Sequence, residues 1–147
     1  MNPSPCPKGP DQGFTLLELL VVTVIIGLLA SFVAPKFFSQ VGKSEIKTAR
    51  AQMDAFGKAL DTYRLDVGRY PSTALGLKAL VDRPESEPKW SGPYLQKSIP
   101  TDPWGQAYVY QSPGAQGRDY DIQSMGKDGQ PGGDGENADL HSWENVR

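Results

Sequence analysis

A single apolar segment constrains this chain more than any other feature of its sequence. It runs from Phe14 to Pro35 and contains one charged residue, Glu18. About 20 apolar residues in a helix are enough to cross the hydrocarbon core of a bilayer. The helix of a soluble core is apolar on one face, and a signal-peptide core is only about 7–15 residues long, whereas this segment is longer and apolar on every face. The segment therefore predicts a membrane-spanning helix over 14–35.

Glu18 is unusual because an ionised carboxylate in the middle of a membrane helix costs about 3 kcal/mol even on lenient insertion scales. It lies near one end of the apolar segment. One interpretation is a side chain that reaches the nearby membrane surface and has no partner. The other is a charge kept for pairing, which is the usual role of an ionisable residue in such a segment.

The first 13 residues have no hydrophobic pattern. They contain four prolines, and their charges, Lys8 and Asp11, cancel. A segment of this composition does not build a core, and its position before the apolar helix predicts a removable leader over 1–13. The only cysteine of the chain, Cys6, lies within it, so no disulfide within the chain is possible.

The junction over 13–18 reads GFTLLE and resembles the processing site of type IV pilins and the related pseudopilins. In that superfamily a prepilin peptidase cuts after the glycine, on the cytoplasmic side, and N-methylates the new terminal residue. The resemblance implies cleavage between Gly13 and Phe14 and methylation of Phe14. It also implies a partner for Glu18, the amine of Phe14 on a neighbouring subunit. Such a pair would offset the desolvation cost of both charges.

Beyond Pro35 the pattern becomes amphipathic and predicts a stem helix over 36–67. Its apolar residues recur at spacings of three and four: Ile46, Ala49, Met53, Phe56, Leu60 and Tyr63. This stripe is expected to pack on its own domain, with a coiled-coil partner as the alternative. Pro35 is expected to kink or break the helix, and Gly68 followed by Pro71 to end it.

The remainder predicts an α+β fold in which the long helix packs on a small antiparallel sheet. Residues 68–124 contain loops, a short helix over 75–81 and two strands over 107–111 and 119–124, joined through a turn at Pro113-Gly114. The sequence DPWG over 102–105 predicts a type I turn with Pro103 at its second position and Trp104 in the core.

The segment over 126–139 is rich in glycine and in oxygen-bearing side chains and has almost nothing apolar to bury. The candidate oxygen ligands are Asp128, Asp134, Glu136, Asn137 and Asp139. Two interpretations stand side by side: a disordered acidic tail, or a loop folded around a hard cation. Calcium takes about 6–8 oxygen ligands, including backbone carbonyls. The segment has neither histidine nor cysteine, so a zinc site is unsupported.

Four further strings resemble the major pseudopilins of type II secretion, the general secretion pathway protein G family. They are RLDVGRYP over 64–71, GLKAL over 76–80, GPYL over 92–95 and DPWG over 102–105. The resemblance implies a type IV pilin-like fold with a calcium loop and tail over 125–147. The implied ligands are the side chains of Asp128, Asp139 and Asn137 and the backbone carbonyls of Met125 and Gly135, with Asp134 and Glu136 as weaker candidates.

The resemblance also implies a function, that of a structural subunit and not an enzyme. The subunit would sit in the inner membrane of a Gram-negative bacterium with a cytoplasmic N-terminus and a periplasmic domain over 36–147. It would polymerise into a periplasmic filament that acts as a piston in the export of folded proteins across the outer membrane. Its partners would be other copies, minor pseudopilins, an inner-membrane assembly platform and prepilin peptidase.

The alternatives are a type IV pilin, a minor pseudopilin, or a membrane-anchored module that binds a ligand through calcium. The sequence contains no catalytic motif of a hydrolase or a nucleotide-binding enzyme. A nucleic-acid partner is disfavoured, since the net charge is −2 and the pI is about 5.3.

Overall fold

The computed structural model describes residues 13–144, except for the side chains of Pro35 and Phe38. The chain forms two compact units that divide between Ser39 and Gln40. Most of the predicted leader and the last three residues of the tail lie outside the described residues.

The first helix, α1 (Leu16–Val67), begins at a polar cap. Thr15 directly precedes the helix, and its Oγ1 accepts a hydrogen bond from the backbone N–H of Glu18, at 3.1 Å. Thr15-x-x-Glu18 is the sequence pattern of a capping box, which satisfies a free N–H group of the first helical turn. Glu18 therefore lies in the first turn of the helix, where the helix dipole favours a negative charge.

The apolar part of α1 presents exposed side chains on all its faces. Those from Phe14 to Val33 are exposed, and none of the most apolar 18-residue stretch is buried. By length and composition this helix is able to cross a membrane. The helix is continuous through Pro35, so of the two expectations there, a kink or a break, the break is wrong. Proline removes a single backbone donor, at a cost of about 3 kcal/mol, which a long helix with its other hydrogen bonds tolerates.

The C-terminal end of α1 is set by Gly68, as predicted. Gly68 has φ +92°, a left-handed conformation that glycine adopts without steric cost, and its N–H donates to the carbonyl of Arg64 at 2.8 Å. Pro71 follows shortly afterwards and is itself buried.

The apolar stripe of α1 forms one side of the core. The buried apolar residues of this hydrophobic core are Ala49, Met53, Phe56, Ala59, Leu60, Tyr63, Leu77, Ala79, Leu80, Tyr108, Tyr110, Ile122 and Leu140. The rings of Phe56 and Tyr108 meet edge-on with centroids 5.1 Å apart, a geometry worth about 0.5–1.5 kcal/mol beyond area burial. The stripe thus packs within its own domain, as expected.

Three short antiparallel strands form the sheet, in the order β1 (Val109–Gln111), β2 (Asp121–Ser124) and β3 (Leu140–His141). The two predicted strands are present, and each starts two residues later than expected. The third strand was missed because two residues carry no readable alternation. It pairs with β2 through Ser124 and Leu140, and so ties the end of the acidic segment to the sheet.

The prediction of a short α-helix over 75–81 is wrong. The segment forms only a single 3₁₀ turn, Leu77–Leu80. Gly76 has φ +61° and ψ −167°, a conformation that is incompatible with an α-helix starting before it.

Candidate metal loop and candidate assembly terminus

The acidic segment that follows β2 is a folded loop, held closed by backbone hydrogen bonds between its two arms. The N–H of Lys127 donates to the carbonyl of Glu136 at 2.9 Å, and the N–H of Asp139 donates to the carbonyl of Gly132 at 3.1 Å. A 3₁₀ turn, Gly135–Asn137, lies between these two bonds. The loop is therefore ordered although it has almost no apolar side chain to bury.

Asp139 is the most informative candidate ligand. Its Oδ2 accepts hydrogen bonds from the side-chain amide of Gln123 and from the N–H of Gly132, both at 3.0 Å. Its Oδ1 is buried and has no hydrogen-bond partner among the described residues. A buried polar atom left unsatisfied costs about 1–3 kcal/mol, and more when it carries charge. This oxygen is therefore a ready ligand for a cation.

Asn137 is held by the close approach of two glycines. Gly126 and Gly133 both have positive φ, +64° and +84°. A Cβ at Gly126 would lie 2.8 Å from the carbonyl carbon and oxygen of Asn137, and one at Gly133 would overlap that same oxygen. Only glycine fits either position, and the backbone of Asn137 is thereby fixed within the loop.

The remaining candidates have more local contacts. Asp128 is exposed, and its Oδ1 accepts from the N–H of Gln130 at 3.1 Å. Asp134 is exposed and directly precedes the 3₁₀ turn, which Gly135 opens. Met125 is half-buried at the end of β2, just before the loop. The structure therefore places the candidates on one closed loop, with Asp139 and Asn137 the most firmly held.

Glu136 points toward another charge. Its Oε2 lies 2.8 Å from Nζ of Lys127, and this hydrogen bond raises the pKa of Lys127. The same carboxylate packs against Gly42 on α1, where any Cβ would overlap it. Glu136 thus docks the loop on the helix, and Lys127 compensates its charge.

Three or more histidine, cysteine, aspartate or glutamate side chains do not converge at any point within residues 13–144. A cation on this loop would therefore rely on carbonyl and amide oxygens together with the carboxylates of Asp139 and Asp128. This donor chemistry suits a hard ion such as calcium.

The predicted turn over 102–105 is present, and it also contacts α1 through Trp104. The N–H of Gly105 donates to the carbonyl of Asp102 at 2.9 Å, with Pro103 at the second position. Trp104 is half-buried and packs against the core, and its indole N–H donates to Oε2 of Glu45 on α1, at 3.0 Å. Asp102 is almost fully buried, and sequence reasoning missed it as a structural carboxylate.

The candidate assembly residues, Phe14 and Glu18, lie at the start of α1. Phe14 is exposed and precedes the helix, and the Cβ of a residue at position 13 would meet no atom within 4 Å. Glu18 is exposed on the first turn. The capping-box pattern of Thr15 and Glu18 was visible in the sequence but was overlooked. It gives Glu18 a role at the start of the helix that needs no partner on another subunit.

Two protein families match this chain. The family described as type II secretion system (T2SS), protein G, matches residues 36–143, and the prokaryotic N-terminal methylation motif matches residues 9–34. Together these matches span the apolar helix, the sheet and the acidic loop.

Relatives of known name cover almost the whole chain. The type II secretion system core protein G of Pseudomonas aeruginosa is 42% identical over 138 residues, which are 92% of this chain and 96% of the relative. The protein of the same name from Vibrio cholerae is 46% identical over 136 residues, 90% of this chain and 92% of the relative. Both relatives are named as the core protein G of a type II secretion system.

A solved structure has the same fold. The crystal structure of the major pseudopilin from the type 2 secretion system of enterohaemorrhagic Escherichia coli aligns with a TM-score of 0.59 at 35% identity. The alignment covers 72% of this chain and 92% of that one. The long helix, the three-stranded antiparallel sheet and the sequence matches together show that this chain belongs to the protein G family of type II secretion systems, the major pseudopilins.

Proposed function

We propose that this pseudopilin is a filament subunit that is cleaved at Gly13, methylated at Phe14 and anchored in the inner membrane by the first part of α1, with its C-terminal domain in the periplasm. The observation that carries the proposal is the division of α1 into a part with exposed apolar side chains and a part whose stripe is buried. Exposed apolar surface must be covered, either by lipid or by the same helix of other copies.

Assembly in this proposal is a transfer of the apolar helices from lipid into a bundle. Residues 14–33 of each copy leave the bilayer and form the core of the filament. Glu18 pairs with the amine of Phe14 on a neighbouring copy, which sets the axial register of one subunit against the next. Addition of copies at the base, on an inner-membrane platform, pushes the filament and its minor pseudopilins outward as a piston.

The loop over 126–139 is proposed to hold calcium. The residues that would hold it are the side chains of Asp139, Asn137 and Asp128 and the backbone carbonyls of Met125 and Gly135. The support is the unpartnered Oδ1 of Asp139 and the glycine cradle around Asn137. The C-terminal part of the chain, residues 101–147, has 8 acidic and 3 basic residues. When bound, the ion supplies positive charge to the loop within this acidic part.

Processing is tested by the mass of the N-terminus of chain purified from membranes that contain prepilin peptidase. The wild-type chain is expected to start at N-methylated Phe14. Gly13→Ala is expected to leave Met1 in place, because the peptidase of this superfamily cuts after glycine. The substitution itself meets no atom of the folded chain, so a loss of cleavage reports recognition and not misfolding.

Gly9→Ala, elsewhere in the leader, serves as the control and is expected to be cleaved normally. An intact Met1 on the wild-type chain would contradict the filament proposal. That result would favour a membrane-anchored module that binds its ligand through calcium.

The glycine cradle is tested by a matched pair of substitutions, Gly133→Ala and Gly132→Ala. Both glycines have positive φ, so both variants bear a similar conformational cost of about 1 kcal/mol. Only an alanine at 133 overlaps the carbonyl of Asn137, whereas one at 132 meets no atom within 4 Å. Gly133→Ala is expected to bind calcium at least tenfold more weakly than Gly132→Ala, as measured by isothermal titration. Equal affinities of the two variants would argue against Asn137 as part of the site.

A further inference from the structure

A buried carboxylate lies behind the loop without belonging to the proposed ligand set. Asp102 is 3% exposed. Its Oδ1 accepts from the N–H groups of Trp104 and Gln106, at 3.1 and 2.8 Å, and its Oδ2 accepts from the hydroxyl of Ser124 at 2.6 Å. Both carboxylate oxygens thus accept hydrogen bonds, and the turn over 102–106 is joined to the last residue of β2.

Two links continue from this turn to the first residue of the loop. Oγ of Ser124 accepts from the N–H of Gly126 at 3.4 Å, and the side-chain amide of Gln106 donates to the carbonyl of Gly126 at 3.3 Å. A Cβ at Gly126 would lie only 2.8 Å from the carbonyl of Asn137, so the two arms of the loop pass close to each other at this residue. The position of Gly126 therefore decides where the other arm of the loop can lie.

The same turn and the loop also meet α1 at neighbouring places. Trp104 donates to Glu45, and Glu136 of the loop packs on Gly42. Residues 42 and 45 are three positions apart and share a face of the helix. The loop is therefore held from behind by the turn and from the side by the helix.

We propose that Asp102 is a positioning residue for the calcium loop, acting through Ser124 and Gly126 without touching the ion. This proposal rests on the calcium site of the proposed function. A free loop loses conformational entropy when it closes on an ion, and a loop whose first residue is already fixed loses less. Residues that orient the ligands of a metal typically account for about 10–100-fold in affinity.

The test measures calcium affinity by isothermal titration on the full chain in detergent micelles. Ser124→Ala removes the hydroxyl that joins Asp102 to Gly126. Asp102→Asn places an amide donor where Ser124 needs an acceptor. Both variants are expected to bind calcium about tenfold more weakly or worse than wild type, and amide exchange is expected to accelerate within residues 126–139.

Ser112→Ala is the matched control. Its hydroxyl donates to the carbonyl of Asp119 at 3.0 Å in the hairpin, so it also loses one hydrogen bond, but it does not touch the loop. Its calcium affinity is expected to stay within about twofold of wild type. Circular dichroism at the titration temperature shows that each variant is folded, which separates positioning from global stability.

The outcomes are distinguishable. Wild-type affinity in a folded Ser124→Ala variant overturns the role of Asp102, even if Asp102→Asn fails to fold, because the hydroxyl is the link on which the argument depends. A wild-type chain that binds no calcium overturns the calcium site itself, and the positioning role with it.

Discussion

Glu18→Ala is expected to leave the subunit in the membrane and to abolish filament assembly. The variant makes the apolar segment more hydrophobic, and the N–H of residue 18 keeps its bond to Thr15 because the backbone is unchanged. The start of the helix and its insertion are therefore preserved. What is lost is the partner of the Phe14 amine, which then remains unpaired among apolar helices. Removing one member of a buried ion pair costs about 3–5 kcal/mol, or at least a hundredfold in the association constant.

The measurement combines membrane fractionation with electron microscopy of sheared filaments. Leu19→Ala is the matched control, since it shortens an exposed side chain of the same helical turn without changing charge. It is expected to assemble normally. Filaments of normal number and length from Glu18→Ala would refute the pairing and would leave the snorkelling side chain at the membrane surface as the explanation of Glu18.

Removal of calcium is expected to lower the melting temperature of the chain by roughly 10–20 °C. A ligand at about 100 times its dissociation constant stabilises the folded state by about 2.7 kcal/mol. Each kcal/mol shifts the melting temperature of a domain of about 100 residues by about 4–8 °C. The second compact unit, from Gln40 onward, is of this size. The melting curve is recorded by circular dichroism in calcium and in EGTA.

Asp139→Asn separates the metal from other effects of the chelator. It removes the charge of the buried, unpartnered Oδ1, so its melting temperature is expected to be the same in calcium and in EGTA. In EGTA the variant is expected to be at least as stable as wild type, because the side chain no longer carries a partly buried negative charge without a cation. Asp82→Asn, an exposed residue outside the loop that pairs with Lys78, is expected to keep the full calcium response. Superimposable melting curves of the wild-type chain in calcium and in EGTA would refute the calcium site.

Much of the fold could be predicted from the sequence, because the patterns that specify its elements lie within short stretches of the chain. The apolar segment and the stripe from Ala49 to Tyr63 specify one long helix, and Gly68 specifies its end. The hairpin was predicted from alternation. Its second strand begins late because the turn extends to Asp119: the hydroxyl of Ser112 donates to the carbonyl of Asp119, and the N–H of Gly114 donates to the carbonyl of Arg118.

From the sequence, the candidate site could be predicted only as a set of residue types. The glycines and acidic residues of the loop indicate a hard-cation site, but composition does not show which of them are the better ligands. The contacts in the structure distinguish them, because Asp139 has a buried oxygen without a hydrogen-bond partner, whereas Glu136 is paired with Lys127. The ligand set and the cleavage at Gly13 stay predictions that the experiments above address.

The sequence by itself determined the elements that depend on neighbours along the chain: the apolar helix, the family motif at 13–18, the turn over 102–105 and the absence of any disulfide partner for Cys6. Only the tertiary structure decided what joins distant segments. Asp102 reads as an ordinary turn residue until Ser124, 22 positions later, donates to it in the core. Strand β3 and the contact of Glu136 with Gly42 likewise depend on the tertiary structure. Each forms only when remote parts of the chain pack together, and no local periodicity encodes such a contact.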